Sequence, residues 1–182
     1  MTTALLVIDA QESFRVGDDW AQTHNPDVVE RIGRLVDAAR ERGEAVVWVL
    51  HHEPGSGDEF DPDHGAVRVM SELQPRAGEP TLLKTTINAF ASTDLEERLR
   101  GAGVERLVIC GIRTEQCVET TTRAAADLGF EVAYVADATT TSAIGDLSAA
   151  DIVERTVAVL AGREFATIVS TDDVVAGSAS LG

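Results

Sequence analysis

The feature that most restricts the fold of this chain is an alternation. Short, continuous apolar runs are separated by longer segments whose apolar residues recur at helical spacing. Continuous runs such as ALLVID at 4–9 and AVVWVL at 45–50 suit strands buried on both faces. Further runs follow at 81–84, 106–111, 131–137 and 165–170. After the first run, Pro26 opens a segment with Val28, Ile32, Leu35 and Ala39 on one helical face, closed by Gly43. Ser92 or Thr93 is placed to cap a helix with Leu95 and Leu99, ended by Gly101 and Gly103. Thr114 is placed to cap one with Cys117, Thr121, Ala124 and Leu128, ended by Gly129. Ser148 is placed to cap a last one with Ile152, Thr156, Val157 and Leu160, ended by Gly162. The polar stretch 51–80 is expected to hold a short helix near 67–73, and the small residues at 177–182 are expected to fray. Six strands alternating with helices predict βαβ units. The fold class is therefore α/β: a three-layer α/β/α sandwich with a six-stranded, mostly parallel sheet and helices on both faces. The 182 residues fit one domain, 1–182.

Charge narrows the function. The formal net charge of −16 disfavours nucleic acid and anionic membranes as partners. No apolar run approaches the roughly 18 residues of a membrane span. The N-terminus MTTALLVIDAQ reads as a strand, not an export signal, so a cytoplasmic location with two reduced thiols is expected. Of 15 basic residues only Lys84 is a lysine. Arginine stays charged everywhere, whereas a buried lysine adapts its protonation. Codon bias is the plain account of that imbalance, and a specific chemical need is the other.

In parallel sheets, ligands bind beyond the carboxyl ends of the strands. At that rim the sequence puts Asp9 after the first run, His51 and His52 after the second, Lys84 after the third, and GIRTEQC after the fourth. A cysteine in the first turn of a helix meets free N–H groups and the positive end of the macrodipole. With a lysine nearby, its thiol pKa is expected to fall. Asp9 is placed to shuttle the thiol proton, and the turn through Gly111 to aim N–H groups at an oxyanion. Each residue alone has a plain reading: Cys117 as helix packing, Asp9 as a turn residue, Lys84 as a solvated strand end. Their convergence on one rim favours chemistry. Cys110, in mid-strand, reads as an inert core thiol.

Three stretches, IDAQESF, KTTINAFASTDL and CGIRTEQCVETTTRAAADLG, resemble the isochorismatase-like cysteine hydrolases over nearly the whole chain. The resemblance implies a Rossmann-like topology and a catalytic triad of Asp9, Lys84 and Cys117. It implies a cis peptide joining Ile112 to Arg113, and an oxyanion hole from the N–H groups of Arg113 and Cys117. Gln11 and Phe14 match the segment after the family's aspartate; Asn88, Phe90 and Thr93 match the segment after its lysine. Gln11, Phe14, His51, His52 and Phe90 are the pocket candidates.

Two departures stand out. Arg113 sits where the family often has a small or apolar residue, and its side chain either turns away or reaches an anionic substrate. The stretch HHEPGSGDEFDPDHG lacks the D-x-H spacing of the nicotinamidase metal site. His51, His52 and His64 with Asp61 or Asp63 do not match it, so no metal and no cofactor are expected. The resemblance implies hydrolysis of a C–N bond in a small amide through a thioester, by a homodimer or homotetramer. The alternatives are a vinyl-ether hydrolase that dispenses with the cysteine, a non-catalytic binding protein on the same fold, and a redox thiol protein pairing Cys110 with Cys117.

Overall fold

A computed structural model describes residues 1–16 and 18–177. The fraying expected of 178–182 lies outside the described residues. Six strands, β1 (Thr2–Ile8), β2 (Ala45–His51), β3 (Thr81–Lys84), β4 (Val104–Ile112), β5 (Glu131–Thr140) and β6 (Thr167–Val169), form one sheet in the order β3-β2-β1-β4-β5-β6. All pairs are parallel. Among the described residues, five α-helices cover it: α1 (Val28–Glu41), α2 (Leu95–Gly101), α3 (Glu119–Asp127), α4 (Ala149–Gly162) and α5 (Thr171–Val175). The structure has the expected three-layer α/β/α class.

Side-chain alternation divides the core. Leu5, Val7, Trp48 and Cys110 point to the face covered by Ile32 and Leu35 of α1 and Val174 of α5. Leu6, Ile8, Val49 and Ile109 point to the face covered by Leu95 and Leu99 of α2, Ala125 of α3 and Leu160 of α4. Full burial of one such aliphatic side chain stabilises by roughly 1.5–3 kcal/mol, so the two faces together carry most of the driving force. Ser148 caps α4 with reciprocal bonds: its hydroxyl accepts from the Asp151 N–H at 3.1 Å, and the Asp151 carboxylate accepts from the Ser148 N–H at 3.1 Å.

Two local expectations are corrected, and one element is added. Residues 67–73 form no helix. Val69 bridges Gln11, and the Met70 N–H donates to the Ala10 carbonyl at 3.0 Å, so this segment spends its backbone groups on the chain leaving β1. Thr114 does not cap α3; its hydroxyl donates to Thr139 Oγ1 at 3.0 Å. The helix at 171–175 is additional, opened by a second capping box between Ser170 and Asp173. No helix among the described residues is long and apolar enough to cross a membrane.

At the tips of β1 and β4 the backbones pass unusually close. Gly111 pairs with Ile8 at φ +132°, and a Cβ there would lie 1.9 Å from the Ile8 carbonyl oxygen. Only glycine meets that condition. The close pass draws the loop after β4 against Asp9, the next residue of the neighbouring strand.

Candidate active site

Each rim residue is delivered by a strand end. Asp9 follows β1 with φ +50°, and its N–H donates to the Val49 carbonyl at 2.7 Å, prolonging the ladder with β2. A non-glycine residue at positive φ is uncommon, and the surrounding strands hold this one there. Lys84 ends β3 and pairs in register with His51 of β2. After β4 the Ile112–Arg113 peptide bond is cis. Thr114–Val118 then forms one wide π-helical turn, closed by the Val118 N–H donating to the Arg113 carbonyl at 3.3 Å. Such turns recur at functional sites. Cys117 sits in this turn, immediately ahead of α3.

The structure brings Asp9, Lys84 and Cys117 together. Asp9 and Lys84 are both 0% exposed, and Lys84 Nζ lies 2.8 Å from Asp9 Oδ2. The same ammonium donates to Cys117 Sγ at 3.2 Å. Among the described residues no aligned hydrogen bond from elsewhere reaches either Asp9 oxygen, so the carboxylate depends on the Lys84 charge and the adjacent thiol. Burial pushes the Asp9 carboxyl above the ordinary carboxylate value, against the pull of Lys84. Burial, with the charge of Asp9, pushes the Cys117 thiol up to about 12. This reverses the expectation of a lowered thiol pKa. Desolvation of the thiolate and a neighbouring negative charge outweigh Lys84. Burial thus favours the neutral form of the Cys117 thiol, which lies beside the Asp9–Lys84 contact.

Above these groups opens a cavity of about 690 Å³, the size of a small-molecule site. Its walls are apolar at Phe14, Phe60 and Ile87 and polar at His51, Arg113 and Gln116. Phe14 and Phe60 meet edge to face, 5.3 Å between ring centroids. The Arg113 guanidinium lies 5.4 Å from the Phe14 ring centroid and donates to Ser142 Oγ.

The sheet order and the helices around it have counterparts in known proteins. A family model described as the isochorismatase domain matches residues 3–173. The chain belongs to the isochorismatase family. The uncharacterized isochorismatase family protein YrdC of Bacillus subtilis (strain 168) is 32% identical over 179 residues, covering 94% of each chain. The crystal structure of an isochorismatase from Pseudomonas putida KT2440 matches with a TM-score of 0.85 and 35% identity, covering 94% of this chain and 89% of that one. That of a cysteine hydrolase from Pseudomonas syringae pv. phaseolicola 1448A matches with a TM-score of 0.86 and 26% identity, covering 96% and 91%.

Three of the pocket candidates stand apart from the cavity of this isochorismatase-family site. Gln11 is 0% exposed and acts as a clamp: its side chain accepts from the His51 N–H at 2.8 Å and donates to the His51 carbonyl at 2.9 Å. It completes by side chain the ladder that β1 no longer supplies. Phe90 stacks on Phe130, 6.1 Å between centroids, and joins the core. His52 is turned from the cavity, and its N–H donates to the Lys84 carbonyl at 3.0 Å. Phe14 and His51 do line it. Phe60 and Glu53 are wall residues that sequence reasoning missed. The Glu53 N–H donates to the Phe60 carbonyl at 2.8 Å, folding the polar loop back over the site. The available signal was a lone aromatic inside a Gly- and Asp-rich stretch. The metal-type donors here are otherwise engaged: His51 Nε2 pairs with Glu53 at 2.8 Å, and Asp61 accepts from the Gly57 and Asp63 amides. Among the described residues no three His, Cys, Asp or Glu side chains are grouped to hold a metal ion.

Proposed function

We propose that this family member is a cysteine hydrolase that cleaves a C–N bond of a small amide through a thioester. The observation that carries the reading is the reach of one buried ammonium, Lys84 Nζ, to both Asp9 Oδ2 at 2.8 Å and Cys117 Sγ at 3.2 Å on the cavity floor. Likeness to a cysteine hydrolase of known structure supports it.

In this reading the thiol is neutral at rest because burial disfavours the thiolate. As Sγ attacks the substrate carbonyl carbon, its proton passes to Asp9, whose raised carboxyl is suited to hold one. The C–S bond forms and the carbonyl oxygen becomes an oxyanion, stabilised by the N–H groups of Arg113 and Cys117. The C–N bond then breaks, and Asp9 returns the proton to the departing nitrogen. Water next loses a proton to Asp9 and adds to the thioester carbon. The C–S bond breaks, the acid leaves, and the sulfur regains its proton. Lys84 Nζ lies beside both partners and stabilises whichever holds the negative charge. The cavity of about 690 Å³ limits the substrate to a small molecule, and Phe14, Phe60 and Ile87 favour one with an apolar or flat body.

The test is ammonia release from a panel of small primary amides, ureido acids and carbamoyl amines, with wild type and Cys117→Ala side by side. Release by wild type, reduced at least about a thousandfold in Cys117→Ala, is expected. Equal release by both proteins would remove the thiol from the mechanism.

A further inference from the structure

We propose that His51, held in one tautomer by Glu53, is a positioning residue that supplies the third acceptor of the Lys84 ammonium and keeps that ammonium aimed at Asp9 and Cys117. The inference deepens the cysteine-hydrolase reading and rests on its assignment of Lys84.

A lysine ammonium has three N–H donors and no acceptor. Lys84 is 0% exposed, so each donor needs a partner within the protein. Asp9 Oδ2, the ion-pair partner at 2.8 Å, faces one, and Cys117 Sγ at 3.2 Å takes a second. His51 Nδ1 lies 3.4 Å from Nζ. Because the ammonium only donates, that nitrogen must present its lone pair. The ring's proton is then on Nε2, and Nε2 lies 2.8 Å from Glu53 Oε1, a carboxylate that only accepts. Both contacts demand the same tautomer. The opposite tautomer would turn an N–H against the ammonium and a lone pair against the carboxylate, losing both bonds.

The backbone supports the same function. His51 and Lys84 are register partners on adjacent parallel strands, which brings their side chains to the same face. Gln11 fixes the His51 N–H and carbonyl from the other side, through bonds of 2.8 and 2.9 Å. The Phe60 ring packs at 64° to the imidazole, with centroids 5.7 Å apart. The imidazole is therefore fixed in place, plane and tautomer. The Glu53 side chain is 52% exposed and that of His51 16%, while Lys84 and Asp9 are fully buried. Exposure thus falls inward along this chain of contacts, and the tautomer is set from the cavity mouth.

Two substrate-free measurements test this. In the wild type, a long-range proton–nitrogen correlation spectrum at neutral pH should show His51 Nδ1 unprotonated and Nε2 protonated. The rate of Cys117 alkylation by iodoacetamide is then followed against pH by mass spectrometry of the Cys117 peptide. Cys110, wholly buried, serves as the unreactive reference. His51→Leu preserves bulk but removes the acceptor, and alkylation should slow by about tenfold, the size expected for a lost bond to a charged group. His51→Asn offers Oδ1 where Nδ1 stood and should react within about threefold of wild type. Glu53→Gln, which still accepts from Nε2, should match wild type, whereas Glu53→Ala should slow. A protonated Nδ1 in the spectrum overturns the proposal, as do equal rates for the Leu and Asn variants. Should His51→Leu fail to fold, the wild-type spectrum and the Glu53 pair decide. A protein silent on every amide would sink the hydrolase reading while leaving these readouts intact.

Discussion

At the residue scale, the site's defining tension is a buried ion pair whose carboxylate half, among the described residues, has no ring of supporting hydrogen bonds. Asp9 and Lys84 are both fully buried, and the carboxylate is satisfied chiefly by the lysine's charge. Removing one partner of such a pair leaves an isolated buried charge and costs about 3–5 kcal/mol, whereas replacing both by neutral groups is often harmless. Lys84→Met should therefore lower unfolding stability at pH 8 by that amount. Asp9→Asn added to Lys84→Met should restore most of it, although neither protein should turn over substrate. The pH dependence has a definite sign. Burial raises the folded-state Asp9 carboxyl above its ordinary 3.8, and loss of Lys84 raises it further. The stability linked to a raised carboxyl is complete below its unfolded value and is lost as pH rises through the folded one. The deficit of Lys84→Met should thus shrink when urea unfolding is repeated at pH 5. A deficit independent of pH would mean that packing, not the stranded charge, sets the cost.

At the element scale, a second carboxylate joins parts of the fold that the site needs in register. Glu79 accepts from Arg40 Nε at 2.7 Å and Nη2 at 2.9 Å, from Trp48 Nε1 at 2.9 Å and from the Arg76 N–H at 2.9 Å. It thereby ties α1 and β2 to the loop that feeds β3. Burial alone would raise this carboxyl, but the bonds from Arg40, Arg76 and Trp48 outweigh burial and hold it at about 2. Its contribution is present above the ordinary 4.5 and is lost as pH falls through about 2. Glu79→Gln should cost about 2–3 kcal/mol at pH 7 in urea unfolding. More than half of that difference should be gone by about pH 3, because the unfolded carboxyl is by then protonated. The same scale shows what was legible in the sequence. Strands buried on both faces are written as continuous apolar runs, so β1, β2 and β4 are plain, and with them the rim that holds Asp9, Lys84 and the Cys117 loop. Thr114 and residues 67–73 misled because their polar groups are claimed by distant partners, Thr139 and the chain after β1, and local patterning carries no trace of that. Phe60 and Glu53 reach the site through a loop closure between irregular residues, which no periodicity reports. The direction of the Cys117 pKa was misjudged for a related reason: a helix start is a local feature, whereas desolvation depends on the assembled cavity floor.

At the scale of the whole molecule, net charge outweighs any single contact. Asp and Glu total 31 against 15 Lys and Arg. Many arginines are paired on the surface, as in Arg98–Asp94 and Arg100–Glu96. Exposed pairs of this kind contribute only about 0–1 kcal/mol each, and salt weakens them. The excess of negative charge acts in the opposite direction. It repels itself more strongly in the compact state than in the expanded chain, and salt relieves it. The competition is decided by range. At 0.01 M ionic strength the screening length is about 30 Å, so charges on opposite sides of a domain this size still interact. At 0.15 M it is about 8 Å, which spares contact pairs but silences most of the long-range repulsion. The relieved repulsion should therefore exceed the weakened pairs. The thermal midpoint should rise as NaCl is increased from 0.01 to 0.15 M, by several degrees for a chain of this length, on the order of 1–2 kcal/mol. The buried Asp9–Lys84 pair lies beyond the reach of the ions, so the rate of Cys117 alkylation should stay nearly constant over the same range. A falling midpoint would show instead that the arginine pairs, not the net charge, govern the surface electrostatics of this fold.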